Sequence, residues 1–375
     1  MEGKRGVADL QQEKELAQVP MSRSSIVQGI KELVDGGLHA VPPLYVRPPD
    51  ERPESSSLLS NVQPLPQYQI PIVDLTALDS TGAARVQVMQ EIGRACEDWG
   101  FFQVVNHGVE LAVIQQLQEA AFKFFDQPAQ ERMRFYTQSI GEPIMYRTSF
   151  NPAMENVREW RDSLGFNRIP GVCDGFQDAP ELCKKEVQQY MKGVDAIAGK
   201  VFKAIFESLG VEKYLENEVQ AGTIPRVRMS INYYPPCPEP SLTLGVSAHS
   251  DVGTLTVLHP DVVPGLEIKH EGTWIPVIPT DPSALVINVA DQIEIWTNGK
   301  YKSIEHRVVT NTNKPRMSIA CFYGPSDDTV VAPLPTLVDE SHPPCYKPTK
   351  FEDYLKNFFS NKLLANRGTL DLARL

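Results

Sequence analysis

The sequence predicts an α+β fold: a double-stranded β-helix, or jelly roll, flanked by N-terminal helices and a C-terminal helix. Up to about residue 209, apolar side chains recur mainly at the spacing of amphipathic helices. From about Arg226 to Tyr323, the pattern changes to short β-rich runs separated by Pro, Gly and Asn-Gly, which is typical of an antiparallel double-sheet barrel. A last helical pattern, from Lys350 to about Lys362, is expected to pack against the barrel.

The elements before the barrel are predicted from apolar spacing and from the residues that end each run. Helical spacing from Ser24 to about Gly36 stops at a Gly-Gly pair, and the Pro- and Ser-rich stretch from Pro42 to Pro66 is expected to be an extended arm or linker. The further predicted elements are a strand at 70–75, a helix at 83–99, a strand at 101–105 and helices at 111–125, 128–135 and 181–209. We therefore divide the chain into an N-terminal arm and helix (1–66), a mostly helical region (67–220), the jelly-roll domain (221–326) and a C-terminal helical extension (327–375).

Composition indicates a compact protein whose main partner is not nucleic acid. With 375 residues, 42% of them hydrophobic, the chain can bury a sizeable core. A net charge of −11 and a pI near 5.2 argue against nucleic acid or an anionic membrane as the main partner, because phosphate binding requires clustered basic surface. We expect a monomer that binds a small molecule.

Cysteine usage and the N-terminal sequence predict the compartment. Six cysteines occur without a Cys-x-x-Cys pair, which favours reduced thiols over a disulfide framework. The N-terminal residues lack the apolar core of a secretion signal, and no stretch approaches the roughly 18 to 20 apolar residues of a membrane span. We therefore expect a cytoplasmic protein.

The candidate site begins with three residues that could ligate one metal ion. His249 and Asp251 lie two positions apart in a strand-like run, so strand alternation points both side chains to one face. His306 lies in a second strand-like run, Tyr-Lys-Ser-Ile-Glu-His-Arg-Val-Val, which a β-barrel could bring alongside the first. Two imidazoles and one carboxylate on one face of an ion leave its opposite positions open, which is the arrangement of non-haem Fe(II) oxygenases.

Ten residues after His306, Arg316 and Ser318 predict a second, anionic ligand beside the metal. A guanidinium and a hydroxyl on the same strand face can hold a carboxylate by hydrogen bonds. Asn232 and Tyr234 also share a face by strand alternation, and could orient a keto acid that chelates the iron. Together these residues indicate an oxygen-activating centre.

Several motifs together resemble the plant 2-oxoglutarate- and Fe(II)-dependent dioxygenases. They are Asn-Tyr-Tyr-Pro-Pro-Cys-Pro at 232–238, His-Ser-Asp at 249–251, Asn-Gly-Lys-Tyr-Lys-Ser-Ile-Glu-His-Arg-Val at 298–308 and Pro-Arg-Met-Ser at 315–318. Upstream, Ile-Pro-Ile-Val-Asp-Leu at 70–75 and Asp-Trp-Gly-Phe-Phe-Gln-Val-Val-Asn-His-Gly-Val at 98–109 resemble the family's N-terminal region. The resemblance spans most of the chain, and the motifs are jointly specific, although His-x-Asp alone is common.

The resemblance implies an enzyme that uses Fe(II), 2-oxoglutarate and O2, with ascorbate as the reductant in vitro. Such an enzyme would hydroxylate or desaturate a small specialised metabolite, which could be a phenylpropanoid, a flavonoid or an alkaloid, and would release succinate and CO2. The implied metal ligands are His249, Asp251 and His306, and the implied 2-oxoglutarate contacts are Arg316, Ser318, Asn232 and Tyr234.

One subgroup of that family resembles the chain most. The stretch Arg-Thr-Ser-Phe-Asn-Pro-Ala-Met-Glu-Asn-Val-Arg-Glu-Trp-Arg-Asp-Ser-Leu at 147–164 and the C-terminal run resemble the feruloyl-CoA ortho-hydroxylase group, which makes coumarin precursors. Ser230 stands where anthocyanidin synthases carry a lysine and jasmonate oxidases an arginine. This difference argues against a substrate that needs a basic anchor at that position.

Five side chains are predicted to line the substrate pocket. Phe322 lies on the same predicted strand face as the Arg-x-Ser pair and could stack a flat aromatic substrate, although a role as a core aromatic of the barrel is an equal alternative. By similarity to flavonoid-oxidising members of the family, Tyr146 and Phe150 would line the opposite wall. Trp296 and Met145 could narrow the pocket.

Two other hypotheses remain open. The same scaffold could serve a non-catalytic small-molecule binder or sensor, or the two histidines and the aspartate could hold zinc in a hydrolase. Zinc chemistry gives no reason for Arg316 and Ser318. The chain contains no phosphate-loop, Gly-x-Ser-x-Gly or Gly-x-Gly-x-x-Gly motif, so P-loop, serine-hydrolase and Rossmann chemistries lack their signatures.

Overall fold

The computed structural model describes residues 29–53, 69–149, 155–212, 225–360 and 368–375. Among these residues the strands are β1 (Ile72–Asp74), β2 (Phe101–Val105), β3 (Ile144–Thr148), β4 (Asp162–Ile169), β5 (Cys173–Asp174), β6 (Arg226–Tyr234), β7 (Val246–His249), β8 (Leu255–His259), β9 (Leu266–His270), β10 (Thr273–Pro276), β11 (Leu285–Val289), β12 (His306–Val308), β13 (Arg316–Gly324), β14 (Val330–Val331) and β15 (Thr349–Lys350). The helices are α1 (Ile30–Asp35), α2 (Ala83–Asp98), α3 (Leu111–Phe125), α4 (Ala129–Met133), α5 (Lys184–Ser208), α6 (Asp291–Trp296), α7 (Phe351–Ser360) and α8 (Gly368–Ala373).

A large and a small β-sheet enclose the interior of a jelly roll, which confirms the predicted α+β fold. The large sheet has the strand order β1-β2-β11-β8-β13-β6-β4-β3, with β5 paired to β4, and the small sheet has the order β10-β9-β12-β7. Between the sheets, Phe101 and Val286 of the large sheet belong to one apolar cluster with Leu266, Ile268 and Ile275 of the small sheet. This cluster fills the interior beneath β2 and β11, while the interior faces of β6, β8 and β13 carry mainly polar side chains.

The outer face of the large sheet is covered by helices. β13 projects Met317, Ile319, Cys321 and Tyr323 to this face, where all four are buried. The 25-residue helix α5 buries an apolar stripe there, because its apolar residues recur every three or four positions. Helices α2 and α3 pack against α5 in turn. None of the described helices combines the length and the apolar content that crossing a bilayer requires.

Most predicted elements occur at or near their predicted positions. The helix predicted at 83–99 is α2, and the strand at 101–105 and the helix at 111–125 coincide with β2 and α3. The helix predicted at 181–209 begins later, at Lys184, and the last long helical pattern forms α7. The parts of the predicted arm and helices at 24–28, 54–66 and 361–362 lie outside the described residues.

Strands β3 and β4 and the short helix α6 are among the elements without a counterpart in the sequence predictions. Strands β3 and β4 are buried almost throughout, and the alternation of apolar and polar residues in β4 is limited to its centre, around Leu164 and Phe166. The short helix α6 lies within the β-rich region and buries the charged residues Asp291 and Glu294. Burial of polar residues therefore hides these elements from a pattern that is based on hydrophobicity.

The large sheet crosses the predicted domain boundary at residue 220. β2 pairs with β11, and β4 pairs with β6, so strands from the predicted helical region complete the sheet of the jelly roll. The boundary is a change in sequence pattern and not a division between separately packed units.

The N-terminal arm is fixed to the barrel beside β7. Asp162 of β4 accepts hydrogen bonds from the backbone N–H groups of Ile30 at 3.1 Å and Lys31 at 3.0 Å, and thereby caps α1. Further along the arm, the Arg47 guanidinium donates to the Ser247 hydroxyl at 2.6 Å. The arm thus supports a strand that ends at one of the candidate metal ligands.

Candidate active site

Two neighbouring strands bring His249, Asp251 and His306 together. β7 ends at His249, and β12 begins at His306, directly opposite it in the antiparallel pair. The Nε2 atoms of His249 and His306 lie 3.5 and 3.7 Å from Oδ1 of Asp251. Within the described residues, these are the one group of His, Cys, Asp or Glu side chains whose three ligand atoms lie within 4.8 Å of one another. The three atoms could therefore hold a single ion between them.

Backbone carbonyl groups set the tautomer of both imidazoles. Nδ1 of His249 lies 2.9 Å from the carbonyl oxygen of Ser247, and Nδ1 of His306 lies 3.1 Å from that of Ile304. Because a carbonyl can only accept, each Nδ1 donates its proton, so in the neutral form each ring presents the lone pair of Nε2 toward Asp251. This is the arrangement that a metal-binding imidazole requires.

The second oxygen of Asp251 is held by two further side chains. Its Oδ2 accepts hydrogen bonds from Oγ1 of Thr256 at 2.6 Å and from Nδ2 of Asn288 at 2.7 Å. These donors lie directly opposite each other in the β8–β11 pair, so they project to the same interior face. With Oδ2 engaged in this way, Oδ1 is left to face the two histidines.

Burial and charge set the protonation states of the three residues. Burial acts to raise the pKa of Asp251, but the nearby His306 and His249 hold it well below its usual range. Burial, together with the charge of His249, lowers the pKa of His306 to about 4. Burial would lower the pKa of His249 as well, but the hydrogen bond and charge of Asp251 raise it. At neutral pH the group therefore contains an ionised carboxylate and a neutral His306, which favours binding of a cation.

Arg316 lies at a different end of the same interior space. Its Nε donates to the carbonyl oxygen of Val263 at 3.1 Å, and its Nη2 donates to that of Pro260 at 2.5 Å. Its third nitrogen, Nη1, is buried and has no hydrogen-bond partner within the described part of the chain. A buried donor without a partner costs about 1–3 kcal/mol or more, so an anionic acceptor is expected at this position.

Two glycines allow the close packing around this arginine. The guanidinium carbon of Arg316 lies 5.0 Å from the ring centre of Tyr234, its partner across the β13–β6 pair. A Cβ added at Gly265 would lie 2.9 Å from Cδ of Arg316, and one added at Gly245 would lie 2.8 Å from the Tyr234 ring. Glycine is therefore needed at both positions to let the backbone approach these side chains.

Ser318 and Asn232 face the same interior space beside Arg316 and Tyr234. They are directly opposite each other in the β13–β6 pair, and such residues project to one face of a sheet. The amide oxygen of Asn232 accepts a hydrogen bond from Arg161 at 3.0 Å, and Arg161 also forms a buried ion pair with Glu159 at 2.6 Å. The four predicted 2-oxoglutarate contacts thus share one face, with the amide of Asn232 already engaged by the Arg161–Glu159 pair.

Two of the five predicted pocket residues face the interior. Phe322 lies on the face of β13 that carries Arg316 and Ser318, since it follows them by an even number of residues. Met145 of β3 lies opposite Gly165 of β4, which in turn lies opposite the interior residue Ser230. Phe150, which was also predicted to line the pocket, lies outside the described residues.

The predicted pocket roles of Tyr146 and Trp296 are corrected by the structure. Tyr146 follows Met145 directly in β3 and therefore projects to the outer face of the sheet, where it packs against Phe124 of α3. Trp296 lies in α6 and packs against Phe206 of α5, within the outer core. Neither ring lines the interior space.

The sequence does not identify Thr256, Asn288 or Arg161 as site residues. Asn288 has a signal, because it is a lone amide in the buried run Leu-Val-Ile-Asn-Val, and such an amide needs hydrogen-bond partners. Thr256 has no such signal, although it lies only five residues after Asp251. Arg161 has none either, since its contact with Asn232 depends on which strands become neighbours.

The residues present fit an Fe(II) ion and 2-oxoglutarate. Two imidazoles and one carboxylate occupy one side of an ion and leave positions open for a chelating ligand, which is the arrangement of non-haem iron oxygenases. The unpartnered Nη1 of Arg316 is suited to the far carboxylate of a dicarboxylic keto acid. A zinc hydrolase would use the three ligands but would leave this nitrogen without an explanation.

Comparison with known protein families agrees with this chemistry. Residues 226–325 match the family model of the 2OG-Fe(II) oxygenase superfamily. Residues 70–188 match the model described as the N-terminal region of the non-haem dioxygenase in morphine synthesis. The two matches contain the predicted metal ligands and most of the N-terminal strands and helices.

Individual relatives cover nearly the whole chain. A feruloyl CoA ortho-hydroxylase of Ipomoea batatas is 36% identical over 350 residues, which are 92% of this chain and 94% of that protein. Flavanone 3-dioxygenase 2 of Oryza sativa subsp. japonica is 36% identical over 336 residues, 88% of this chain and 94% of the relative. The crystal structure of JOX2 in complex with 2OG, Fe and JA is 30% identical, with a TM-score of 0.79 over 93% of this chain and 98% of that one. On both sequence and structure, the chain belongs to the 2OG-Fe(II) oxygenase superfamily.

Proposed function

We propose that this protein hydroxylates or desaturates a small aromatic metabolite, of the phenylpropanoid or flavonoid class, in a reaction that consumes 2-oxoglutarate and O2. The observation that carries the proposal is the geometry of His249, Asp251 and His306, with an unpartnered Arg316 nitrogen on the same interior surface. When bound, Fe(II) and 2-oxoglutarate supply the oxidising chemistry and yield succinate and CO2. The residues of the chain bind, orient and shield these reactants.

The proposed role of each residue follows from its surroundings. His249 and His306 would ligate the metal through Nε2, because each Nδ1 is engaged by a backbone carbonyl. Asp251 would ligate through Oδ1, because its other oxygen is held by hydrogen bonds. Arg316 would bind the far carboxylate of 2-oxoglutarate through Nη1, with Ser318, Asn232 and Tyr234 on the same face as further contacts.

The substrate class is supported by relatives and by the interior surface. The relatives above are named for action on feruloyl CoA and on a flavanone, both of which carry aromatic rings. Phe322 projects into the interior and is partly exposed, so its ring could stack on such a substrate. Alkaloids are a further class within the proposal, since an aromatic ring is the feature that Phe322 would recognise.

The quaternary state and compartment are also proposals. We infer a monomer that is located in the cytoplasm. The cytoplasmic location is supported by the six cysteines, all of which lie within the described residues and form no disulfide. Size-exclusion chromatography with light scattering tests the monomeric state, and imaging of a tagged chain tests the compartment.

The function is tested with purified protein, Fe(II), ascorbate, 2-oxoglutarate and a panel of aromatic metabolites. Mass spectrometry should find a product with one added oxygen or two fewer hydrogens, formed together with succinate. His249→Ala should abolish both, because two ligands cannot hold Fe(II) in the required arrangement. The proposal is wrong if substrate-coupled succinate forms equally in this variant. Tight binding of a metabolite without any turnover would instead identify a sensor on the same scaffold.

A further inference from the structure

Arg228 of β6 projects into the interior of the jelly roll. Its strand neighbours Val227 and Met229 are fully buried in the outer core, so alternation directs Arg228 to the opposite face. It lies directly opposite Phe322 of β13 on one side and Asn167 of β4 on the other. Arg228 and Phe322 are both partly exposed, so a ligand in the interior can reach them.

Arg228 has no hydrogen-bond or ion-pair partner within the described ranges, and its Nε is buried without one. The neighbouring arginines differ in this respect. Arg226 pairs with Asp327, and Arg161 pairs with Glu159. Arg147 donates to the backbone carbonyls of Gln138 and Ser139, at 3.1 and 2.8 Å. Of these four arginines, Arg228 is therefore the one whose guanidinium is available to bind a ligand.

The charges around Arg228 are positive. Burial, followed by the charges of Arg147, Arg161 and Arg226, lowers the pKa of Arg228 to about 9. A cation held in this setting is destabilised, and an anion placed beside it would offset both the burial and the repulsion. The geometry and the local charge thus favour the same type of ligand.

Arg228 is separate from the arginine that would bind 2-oxoglutarate. Phe322, its cross-strand partner, lies six residues after Arg316 on β13, a separation of about 20 Å along a strand. On its other side, Phe322 lies opposite Thr256, which donates to Asp251. Arg228 is therefore two strands, or about 10 Å, from the residue that supports a metal ligand.

We propose that Arg228 binds the carboxylate of an acidic aromatic substrate and thereby orients its ring against Phe322 beside the metal site. A guanidinium can bind a carboxylate by two parallel hydrogen bonds, and the ring of the same substrate would then lie over the adjacent aromatic side chain. The substrate would enter with its acid held by Arg228 and with its oxidisable carbon toward the ligands His249, Asp251 and His306. This inference rests on the proposed oxygenase function and names the substrate class more closely.

Arg228 also changes what Ser230 implies about a basic anchor for the substrate. The absence of a basic residue at 230 argues against a basic anchor at that position, but Arg228 supplies one on the same face, one interior position along β6. The anchor is thus displaced by two residues, about 7 Å along the strand.

The test compares the binding of aromatic acids with that of their methyl esters. The probes are cinnamate, 4-coumarate and ferulate, each paired with its ester, and calorimetry is performed anaerobically on protein loaded with Fe(II) and saturating 2-oxoglutarate. At least one acid should bind the natural protein about tenfold or more tightly than its ester, because a charged hydrogen bond contributes about 1.5–3 kcal/mol. The ratio of the two affinities should approach one in Arg228→Gln, and Arg228→Lys should restore it in part.

Arg226→Gln is the matched control, because it removes the same charge from the same strand and face but from a guanidinium that Asp327 already engages. It should retain the preference for the acid. The proposal is overturned if no acid binds, if acid and ester bind equally, or if Arg228→Gln keeps the preference. The visible charge-transfer absorption of the Fe(II)–2-oxoglutarate complex is recorded for each protein. If the natural protein shows no such absorption, the proposed function is refuted. If the absorption is present but the acid does not bind more tightly than its ester, only the role of Arg228 is refuted.

Discussion

The carboxylate of Asp251 engages different partners with its two oxygens. Oδ2 receives hydrogen bonds from Thr256 and Asn288, which leaves Oδ1 to face the two histidines. Side chains that orient a metal ligand in this way contribute to metal affinity without touching the ion. They also keep the carboxylate from turning so as to bind the ion through both oxygens.

Thr256→Val removes the hydroxyl donor and keeps the shape of the side chain. We expect the affinity for Fe(II) to fall about 10- to 100-fold, because Asp251 loses one of its two orienting hydrogen bonds. Competition with a chelator under anaerobic conditions measures the change. Thr256→Ser is the control and should bind Fe(II) nearly as tightly as the natural protein. Equal affinity of the valine variant would show that Asn288 alone orients the carboxylate.

At the residue scale, sequence alone predicts which chemistry is present better than which side chains support it. The metal-ligand role of His249, Asp251 and His306 follows from the motifs in which they lie, although β7 ends at His249, so Asp251 is positioned by the segment after the strand and not by strand alternation. The contact from Asn288 to Asp251 depends on β11 lying beside β8, and local spacing contains no information about that neighbour. Tyr146 illustrates the same limit, because its face is known only once β3 is assigned as a strand.

At the scale of elements, the β13–β6 pair determines how the 2-oxoglutarate end of the site is built. Nine residues of each strand are in continuous register, from Arg316 opposite Tyr234 to Gly324 opposite Arg226. The turn before β9 closes over Arg316, since it contributes the carbonyls that accept from the guanidinium and also Gly265. The position of Arg316 therefore depends on backbone approach as much as on its own strand.

Gly265→Ala would place a Cβ 2.9 Å from both Cδ and Nε of Arg316, and 3.1 Å from the carbonyl oxygen of Val309. Because the backbone oxygen cannot move easily, we expect Arg316 to shift and the Kd for 2-oxoglutarate to rise about tenfold or more. Calorimetry with 2-oxoglutarate measures this, and Fe(II) affinity should change much less. Gly199→Ala is the control, since a Cβ there would have no neighbour within 4 Å. An unchanged Kd in Gly265→Ala would contradict the assigned role of Arg316.

The long helices α2, α3 and α5 were all predicted from the sequence, whereas strands β3 and β4 were not, for a physical reason. Helices α2, α3 and α5 each bury one face and expose the other, so their sequences keep the helical period. Strand β4 alternates only around Leu164 and Phe166, because two other outward-facing positions carry the charged residues Asp162 and Arg168. Charged residues on the outward face therefore shorten the alternation by which this strand would be recognised.

At the scale of the whole molecule, the C-terminal segment is linked to the metal site through the buried carboxyl groups of Asp291 and Glu294. The hydroxyl of Tyr354 in α7 donates to Asp291 at 2.8 Å, and that of Tyr346 donates to Glu294 at 2.6 Å. The backbone N–H of Asp291 in turn donates to the carbonyl oxygen of Asp251 at 2.9 Å. Burial raises the pKa of Asp291 to about 7, so this carboxyl group depends on its neighbouring donors.

Tyr354→Phe removes one of those donors and leaves the ring in place. We expect the free energy of unfolding to fall by about 1–3 kcal/mol, because the buried carboxyl group of Asp291 loses one of its hydrogen-bond donors. Denaturant titration followed by circular dichroism measures the difference. Tyr190→Phe is a matched control, because the Tyr190 hydroxyl is buried and has no partner among the residues described, so its removal should not destabilise the protein. A destabilisation of equal size in both variants would assign the effect to packing.

The crossing of the large sheet over the boundary at residue 220 has a consequence for synthesis on the ribosome. β2 pairs with β11, so the hydrogen bonds between these strands cannot form until the residues near 289 have been translated. Contacts at such sequence separation are formed slowly, and the apolar strand Phe101–Val105 is exposed during the delay. We therefore expect a truncated N-terminal third to aggregate, and the nascent chain to depend on chaperones until the barrel strands have emerged.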